Sequence, residues 1–257
     1  VSRPLILVSN DDGVRAPGLR TLATLAAEFG DVTVCAPVEE RSGFSHAITL
    51  HQSLRSSPAP EFGPRWFAVS GTPVDCVYMG ALHLCERRPD LVLAGINPGY
   101  NLGADVFYSG TVGAAREGLL RGATALAVSI AREAEPEVAL PFIRRLIPML
   151  LERAKIGERH LLNLNVPATG PGGQGLPQTM KVTRLGQRRY EDQVDVRRDL
   201  MGRDYFWIGG PPMPIDHDDG EDTGAVGQGF AALTPLEIDI TAPDIDEWAQ
   251  RLDSDQS

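Results

Sequence analysis

The chain of 257 residues is 42% hydrophobic and 23% charged, the profile of a globular protein with enough apolar material for a sizeable core. Its formal charge of −10 is uneven: 12 acidic residues and one arginine lie between Pro212 and Ser257, which leaves the preceding body close to balance and without the basic footprint of a protein that binds nucleic-acid polymers. No apolar run reaches the roughly 18 residues of a membrane span, Leu5–Val8 is too short for a signal-peptide core, and Cys35, Cys76 and Cys85 form no C-x-x-C pair, so the expectation is a cytoplasmic protein with reduced thiols and no membrane partner.

Strand-like and helix-like segments alternate along the first half. The apolar run Leu5–Val8 predicts a buried strand, followed by a polar turn and a helix with an apolar face through Leu19, Leu22, Leu25 and Ala26. Asp31–Ala36 predicts a second strand, ended by Pro37, and Trp66–Val69 a third. A helix is expected from Thr72 to Leu84: Thr72 can cap it, Pro73 suits its first turn, and Asp75 stands three residues after the cap. Leu91–Ala94 and Ala123–Ile130 read as strands on either side of a helix over Thr111–Leu120. Phe142–Ala154 reads as a helix that Pro148 should kink, and Leu161–Val166 as a further strand. This alternation predicts an α/β fold with a Rossmann-like, doubly wound, mostly parallel sheet joined by right-handed crossovers. Ligands of such sheets lie beyond the carboxyl ends of the strands.

The remainder differs. Pro167–Pro177 is rich in Gly and Pro and reads as a loop. Met180–Arg184, Tyr190–Val196, Tyr205–Ile208 and Phe230–Leu236 read as strands without helices between them, and Pro211-Pro212-Met213-Pro214 leads into an acidic, turn-rich stretch. Hairpins with few covering helices bury themselves poorly. The expected division is therefore a catalytic core over residues 1–180 and a hairpin-rich extension over residues 181–257 that packs on the body or serves as an oligomerisation arm.

Four segments carry candidate chemistry. Val8-Ser9-Asn10-Asp11-Asp12-Gly13 follows the first strand, and its adjacent carboxylates repel unless neutralised. A hard cation with oxygen ligands would do so, although Asn, Asp and Gly also make ordinary turns. Glu39-Glu40-Arg41-Ser42-Gly43-Phe44-Ser45-His46 follows the second strand: Ser42 offers a hydroxyl ligand, and His46 a donor to phosphate or a proton-transfer group, though both suit a plain loop equally. Gly95-Ile96-Asn97-Pro98-Gly99-Tyr100-Asn101-Leu102-Gly103 has the glycines of a backbone in unusual conformations, with Asn97 and Asn101 as neutral ligands or amide donors. Tyr108-Ser109-Gly110-Thr111-Val112-Gly113 leads into a helix whose free N–H groups and dipole favour phosphate. Capping by Thr111 accounts for that last segment without any ligand. Tyr100, Phe107 and Tyr108 could face a nucleoside or simply pack. No G-x-G-x-x-G follows the first strand, and there is no P-loop or G-x-S-x-G elbow. Asp11-Asp12-Gly13 also lacks the Asp-x-Asp spacing of haloacid-dehalogenase-type phosphatases.

In this order the segments resemble the SurE (survival protein E) family of metal-dependent 5′/3′-nucleotidases. The resemblance rests on Ile6-Leu7-Val8-Ser9-Asn10-Asp11-Asp12-Gly13, Ala36-Pro37 with Arg41-Ser42 and Ser45-His46, and Gly71-Thr72-Pro73-Val74-Asp75-Cys76. It continues through Gly95-Ile96-Asn97 with Gly99 and Asn101, and Ser109-Gly110-Thr111-Val112. It implies one Mg²⁺ or Mn²⁺ per subunit on Asp11, Asp12, Ser42 and Asn97. Asn10, Asn101, Ser109, Gly110 and Thr111 are implied around the phosphate of a nucleoside monophosphate, and short polyphosphate is a further expected substrate. It also implies a homodimer or homotetramer with swapped C-terminal elements. Phe44 departs from the small residue common in the family. His46 is expected at substrate or leaving group, and Asp11 ahead of Asp12 as acceptor of the attacking water's proton; the sequence does not separate that role from ligation. A non-catalytic nucleotide sensor, or a hydrolase of esters or amides, would share much of this pattern.

Overall fold

A computed structural model describes residues 3–188, 190, 191, 193–210 and 220–254. Leu5–Ser9 forms strand β1, with all five residues buried. Such a run belongs to a central strand covered on both faces, and helices supply the cover. Helix α1 (Pro17–Ala26) leads to β2 (Asp31–Pro37), then to the short exposed β3 (Ser56–Pro58) and to β4 (Trp66–Val69). Helix α2 (Pro73–Met79), β5 (Leu91–Pro98), α3 (Gly110–Leu120), β6 (Thr124–Ile130), α4 (Leu140–Lys155) and β7 (Leu161–Val166) follow. After them come β8 (Met180–Val182), the hairpin β9 (Gln193–Arg198) and β10 (Asp204–Gly209), α5 (Asp222–Gly227), β11 (Ala231–Leu236) and α6 (Ile245–Ser254).

Nine strands make the main sheet in the order β3-β4-β2-β1-β5-β6-β7-β11-β8. The six from β4 to β7 pair in parallel, β3 and β11 run antiparallel to their inner neighbours, and β8 is parallel to β11. Alternation along each strand sorts side chains to the two faces. Ile6, Val8, Leu91 and Leu93 pack with Leu19, Leu22 and Leu25 of α1 and with Ile143, Leu146 and Ile147 of α4. Leu7, Val92 and Ala94 face Cys76 and Val77 of α2 and Val112 and Ala115 of α3. The doubly wound α/β expectation is met.

Local signals were read with mixed success. Thr72 caps α2 in the expected capping box, its hydroxyl accepting from Asp75 N–H and the Asp75 carboxylate from Thr72 N–H. Helix α3 is capped by Ser109, not Thr111, because the Ser109 hydroxyl accepts from Val112 N–H and the Thr111 hydroxyl has another partner. Pro148 sits inside α4 on its exposed side, where the carbonyl it leaves unpaired can be hydrated. The two-stranded ribbon spans Gln193–Gly209, later than the run expected from Tyr190. Helices α5 and α6 were not foreseen. The sequence Asp-Thr-Gly-Ala-Val-Gly of α5 has no helical periodicity of its own. The stretch expected as an extension from residue 181 divides among the described residues: β8 and β11 join the main sheet, and β9–β10 forms a separate two-stranded sheet. The Pro211-Pro212-Met213-Pro214 segment and the acidic residues up to Asp219 lie outside the described residues.

One buried carboxylate joins these late elements to the body. Asp222, at the start of α5, is wholly buried. Its Oδ2 accepts from Gly103 N–H at 2.9 Å, and its Oδ1 from Gly186 N–H at 2.8 Å and Thr223 N–H at 2.7 Å. Burial raises its pKa, against the lowering effect of these donors. Asp222→Ala would strand three buried donors, so a loss of about 3 kcal/mol and a melting temperature lower by about 10 °C are expected by calorimetry. An unchanged melting temperature would show that the three loops need no such tether.

Candidate active site

The polar segments that follow β1, β2 and β5 meet the start of α3 at one edge of the sheet, around a cavity of about 410 Å³ lined by Asp11, Asp12, Ser42, Asn97, Asn101 and Ser109. The chain reaches this arrangement through close backbone contacts. Asp11 C=O accepts from Arg41 N–H at 2.7 Å, which stitches the loop after β2 to the end of β1. Asn10 is fully buried, and its side-chain amide donates to Gly13 C=O at 3.0 Å. Gly13 has φ +98°, and a Cβ there would press on the Glu39 backbone at 3.1 Å. At Gly110 a Cβ would lie 2.9 Å from Asp11 Cβ, so only glycine lets the first turn of α3 come this close to the carboxylates.

Two adjacent carboxylates emerge from this packing. Thr111 Oγ1 donates to Asp11 Oδ1. Asp12 Oδ2 and Asn10 Oδ1 are buried with no hydrogen-bond partner among the described residues. Burial raises the Asp11 pKa, only partly offset by the Thr111 hydrogen bond. Burial, then the charges of Asp11 and Glu40, pushes Asp12 up to about 7. Two carboxylates and two neutral oxygens, from Ser42 and Asn97, suit a hard dication of the magnesium class. The unpartnered buried oxygens and the mutual repulsion are what such an ion would relieve. The described residues lining the cavity include no His or Cys, so the ligand atoms this cluster offers are oxygens rather than the nitrogen and sulfur of many transition-metal sites. Asn97 donates its amide N–H to Gly99 C=O at 2.6 Å, which leaves its carbonyl oxygen as the available ligand atom. Ser42 Oγ donates to Glu40 Oε1 at 2.8 Å and keeps its lone pairs.

Asn101 is fixed with unusual thoroughness. Its N–H donates to Asn165 Oδ1, its side-chain amide to Ser129 Oγ, and its C=O accepts from both Asn163 and Asn165. Asn97, Ser129 and Asn165 stand side by side across β5, β6 and β7, a polar row at the carboxyl ends of three strands.

Of the residues expected in the site, Asp11, Asp12, Ser42, Asn97, Asn101 and Ser109 line the cavity. Asn10, Gly110 and Thr111 lie behind it, and Thr111 acts on Asp11. His46 does not line it: its Nε2 is 2.9 Å from Glu117 Oε2, and Glu117 Oε1 in turn is 2.9 Å from Arg121 Nε. Tyr100 and Tyr108 line the cavity and Phe107 does not. The residues missed were Glu40, Asp105, Arg132 and Tyr190, all of which line it. No local pattern marks them. The support from Asn163 and Asn165 was missed as well, although the sequence holds a signal for it: two asparagines alternate within the apolar run Leu-Leu-Asn-Leu-Asn-Val and so share one face of β7.

Comparison with known proteins converges on one family. The family model described as survival protein SurE matches residues 6–192. A protein of Moorella thermoacetica named 5′-nucleotidase SurE is 44% identical over 242 residues, covering 92% of this chain and 91% of that one. A second of that name, from Sorangium cellulosum, is 46% identical over 251 residues, covering 93% and 92%. The crystal structure of the SurE protein from Aquifex aeolicus superposes with a TM-score of 0.81 at 32% identity, covering 97% of this chain and all of that chain.

The Gly110 contact tests the cluster as a cation site. Gly110→Ala should displace Asp11 while leaving the circular dichroism spectrum unchanged, and Mn²⁺ affinity measured calorimetrically should fall at least ~10-fold. Unchanged affinity would mean that the start of α3 does not set the carboxylates.

Proposed function

The chain belongs to the survival protein SurE family, and on that premise we propose that it is a 5′-nucleotidase. In this reading it hydrolyses nucleoside 5′-monophosphates, with 3′-monophosphates and short polyphosphate as further substrates, using one Mg²⁺ or Mn²⁺ per subunit. The names carried by relatives 44% and 46% identical, each aligned over more than 90% of both chains, support the reaction class. The observation that carries the mechanism is the pair of buried oxygens, Asp12 Oδ2 and Asn10 Oδ1, beside the Ser109-capped start of α3 and without hydrogen-bond partners among the described residues.

Asp11, Asp12, Ser42 and Asn97 would hold the dication. When bound, it supplies neutralisation of phosphoryl charge and activation of water. The rest falls to the chain. Ser109 already accepts from Val112 N–H, so its hydroxyl hydrogen is free to donate to a phosphate oxygen. The first turn of an 11-residue helix also points unpaired N–H groups and its dipole at that position. Asn101, immobilised by the polar row, presents its remaining amide atoms without the cost of ordering a free side chain. Thr111 holds Asp11 in place by its hydrogen bond. Thr111 occupies Asp11 Oδ1, which leaves Asp11 Oδ2 and the Asp12 carboxylate as the groups that could accept a proton from the attacking water. His46, with Glu117 and Arg121, braces α3 against the loop after β2 rather than meeting substrate.

Cys35 and Cys76, both buried as free thiols, agree with a cytoplasmic setting. No helix among the described residues is long and apolar enough to cross a membrane. Assembly into dimers or tetramers is supported by the ribbon β9–β10. Val196 and Phe206 are paired on one of its faces and are more than half exposed, and its tip presents Leu200 and Met201 almost fully to solvent. Asp199 holds that tip in shape, accepting from Met201 N–H and Arg203 N–H. A tip so ordered and so apolar is suited to burial against a second copy.

Two measurements test these readings. Asp12→Asn should abolish release of inorganic phosphate from AMP or GMP in Mn²⁺ or Mg²⁺, by at least ~10³-fold, and weaken Mn²⁺ binding with the fold intact. Phosphate release from wild type should also stop in EDTA. A fully active variant would remove Asp12 from the mechanism. Separately, the double substitution Leu200→Asp with Met201→Asp should give monomers by light scattering, and an unchanged oligomer would defeat the role given to the ribbon tip.

A further inference from the structure

A second cavity of about 600 Å³ adjoins the first, and Tyr108 and Tyr190 line both. Its volume falls within the roughly 300–1,000 Å³ of small-molecule sites. Its character differs from that of the phosphate end: Val194 and Ile208, directly paired across β9–β10, add apolar surface, and Glu191 and Gln193 add polar groups.

We propose that this second cavity is the nucleobase subsite, in which the base of a nucleoside monophosphate stacks on Tyr108 and Tyr190 while its phosphate lies at Ser109, an assignment that rests on the nucleotidase reading above.

Tyr108 has the features of a ligand-facing ring. It is 71% exposed, so it contributes little to the core. Its backbone is nevertheless fixed at both ends, the N–H donating to Asp105 C=O and the C=O accepting from Ser45 N–H, each at 3.0 Å. It directly precedes Ser109, the cap of α3, so a ligand anchored there by phosphate has this ring beside it. Tyr190 is held from the other side. Its hydroxyl donates to Asp105 Oδ1 at 2.8 Å, and the Arg188 guanidinium sits 5.5 Å over its ring centroid while pairing with Asp105 Oδ2 at 3.1 Å. One ring face is thus covered, and the other is what remains for a ligand. Asp105 therefore orders both tyrosines, one through backbone and one through side chain. Two pre-positioned rings offer π surface that any base can use, which predicts tolerance among purine and pyrimidine nucleotides but discrimination against phosphates that lack a base.

Phosphate release from AMP and from ribose 5-phosphate, measured with Mn²⁺ for wild type, Tyr108→Ala and Tyr190→Ala, tests this. Wild type should prefer AMP by at least ~10-fold in kcat/KM, through KM, and either substitution should collapse that ratio toward one. Wild type that treats the two substrates alike, or variants that lose both in proportion, would overturn the base subsite while the phosphatase reading stands. If wild type releases phosphate from neither, the nucleotidase reading itself fails. Adenosine binding by calorimetry then decides the cavity separately: binding to wild type that is lost in Tyr108→Ala supports it, and no binding to wild type refutes it. Tyr190→Phe should keep the AMP preference if the ring is what counts, because only the hydroxyl bond to Asp105 is removed.

Discussion

The burial of two neighbouring carboxylates at the head of the sheet constrains the rest of the structure. Asp11 and Asp12 lie where the chain leaves β1, and each has its pKa raised chiefly by loss of water. Such a pair is costly to fold around unless something with positive charge or donor hydrogens faces it. The surrounding protein offsets this only in part: the Thr111 hydroxyl and nearby backbone amides favour the Asp11 carboxylate, while Glu40 adds negative charge beside both. What the chain does provide is a set of neutral oxygens and a rigid frame. That is the arrangement of a site whose counter-charge comes from outside the polypeptide.

The frame explains why residues distant from the cavity carry so much of its precision. Gly110 lets α3 approach Asp11, Gly113 lets it approach the backbone of Ser45, and Gly118 lets its other end settle on Val92. Three close approaches along one helix fix its position in both directions, and the polar contacts of Glu117 with His46 and Arg121 lock it from the side. On the opposite flank, Asn101 is bound to β6 and β7 by four hydrogen bonds, and Asp222 holds Gly103 two residues further on. The cavity-lining side chains are therefore borne by segments whose backbones have little freedom. Preorganisation of this kind is worth more to catalysis than any single added contact.

The body of the fold was legible because its strands are fully buried and uniformly apolar and its helices have one apolar face. Both patterns survive in a single sequence, as Leu5–Ser9 and the stripe Leu19, Leu22, Leu25 show. The cavity-lining residues were legible where they stand at or just past the carboxyl ends of those strands, as Asp11, Asp12 and Asn97 do. The bonding partners of Thr111 and His46 were not legible for one shared reason. Residue type shows what a side chain can bond to, but the bonding partners, Asp11 and Glu117, stand 100 and 71 residues away. Asp105 and Tyr190 gave no signal because their importance lies in meeting each other across 85 residues. Helix α5, with two glycines in six residues, owes its existence to tertiary contacts rather than to propensity.

The ribbon β9–β10 ties these themes together. One of its faces carries Val194 and Ile208 at the base and Val196 and Phe206 further out, because directly opposed residues in an antiparallel pair share a face. The base of that face lines the second cavity, and its outer part and tip are bare. An isolated two-stranded ribbon is marginally stable in water. Whatever buries the outer part must therefore also steady the inner part, since a strand pair cannot be held rigid at one end and remain loose a few residues away. Association through the tip would then sharpen the cavity at the root without any contact to it. Ligand in the cavity would by the same coupling favour association, because linkage between two equilibria acts equally in both directions.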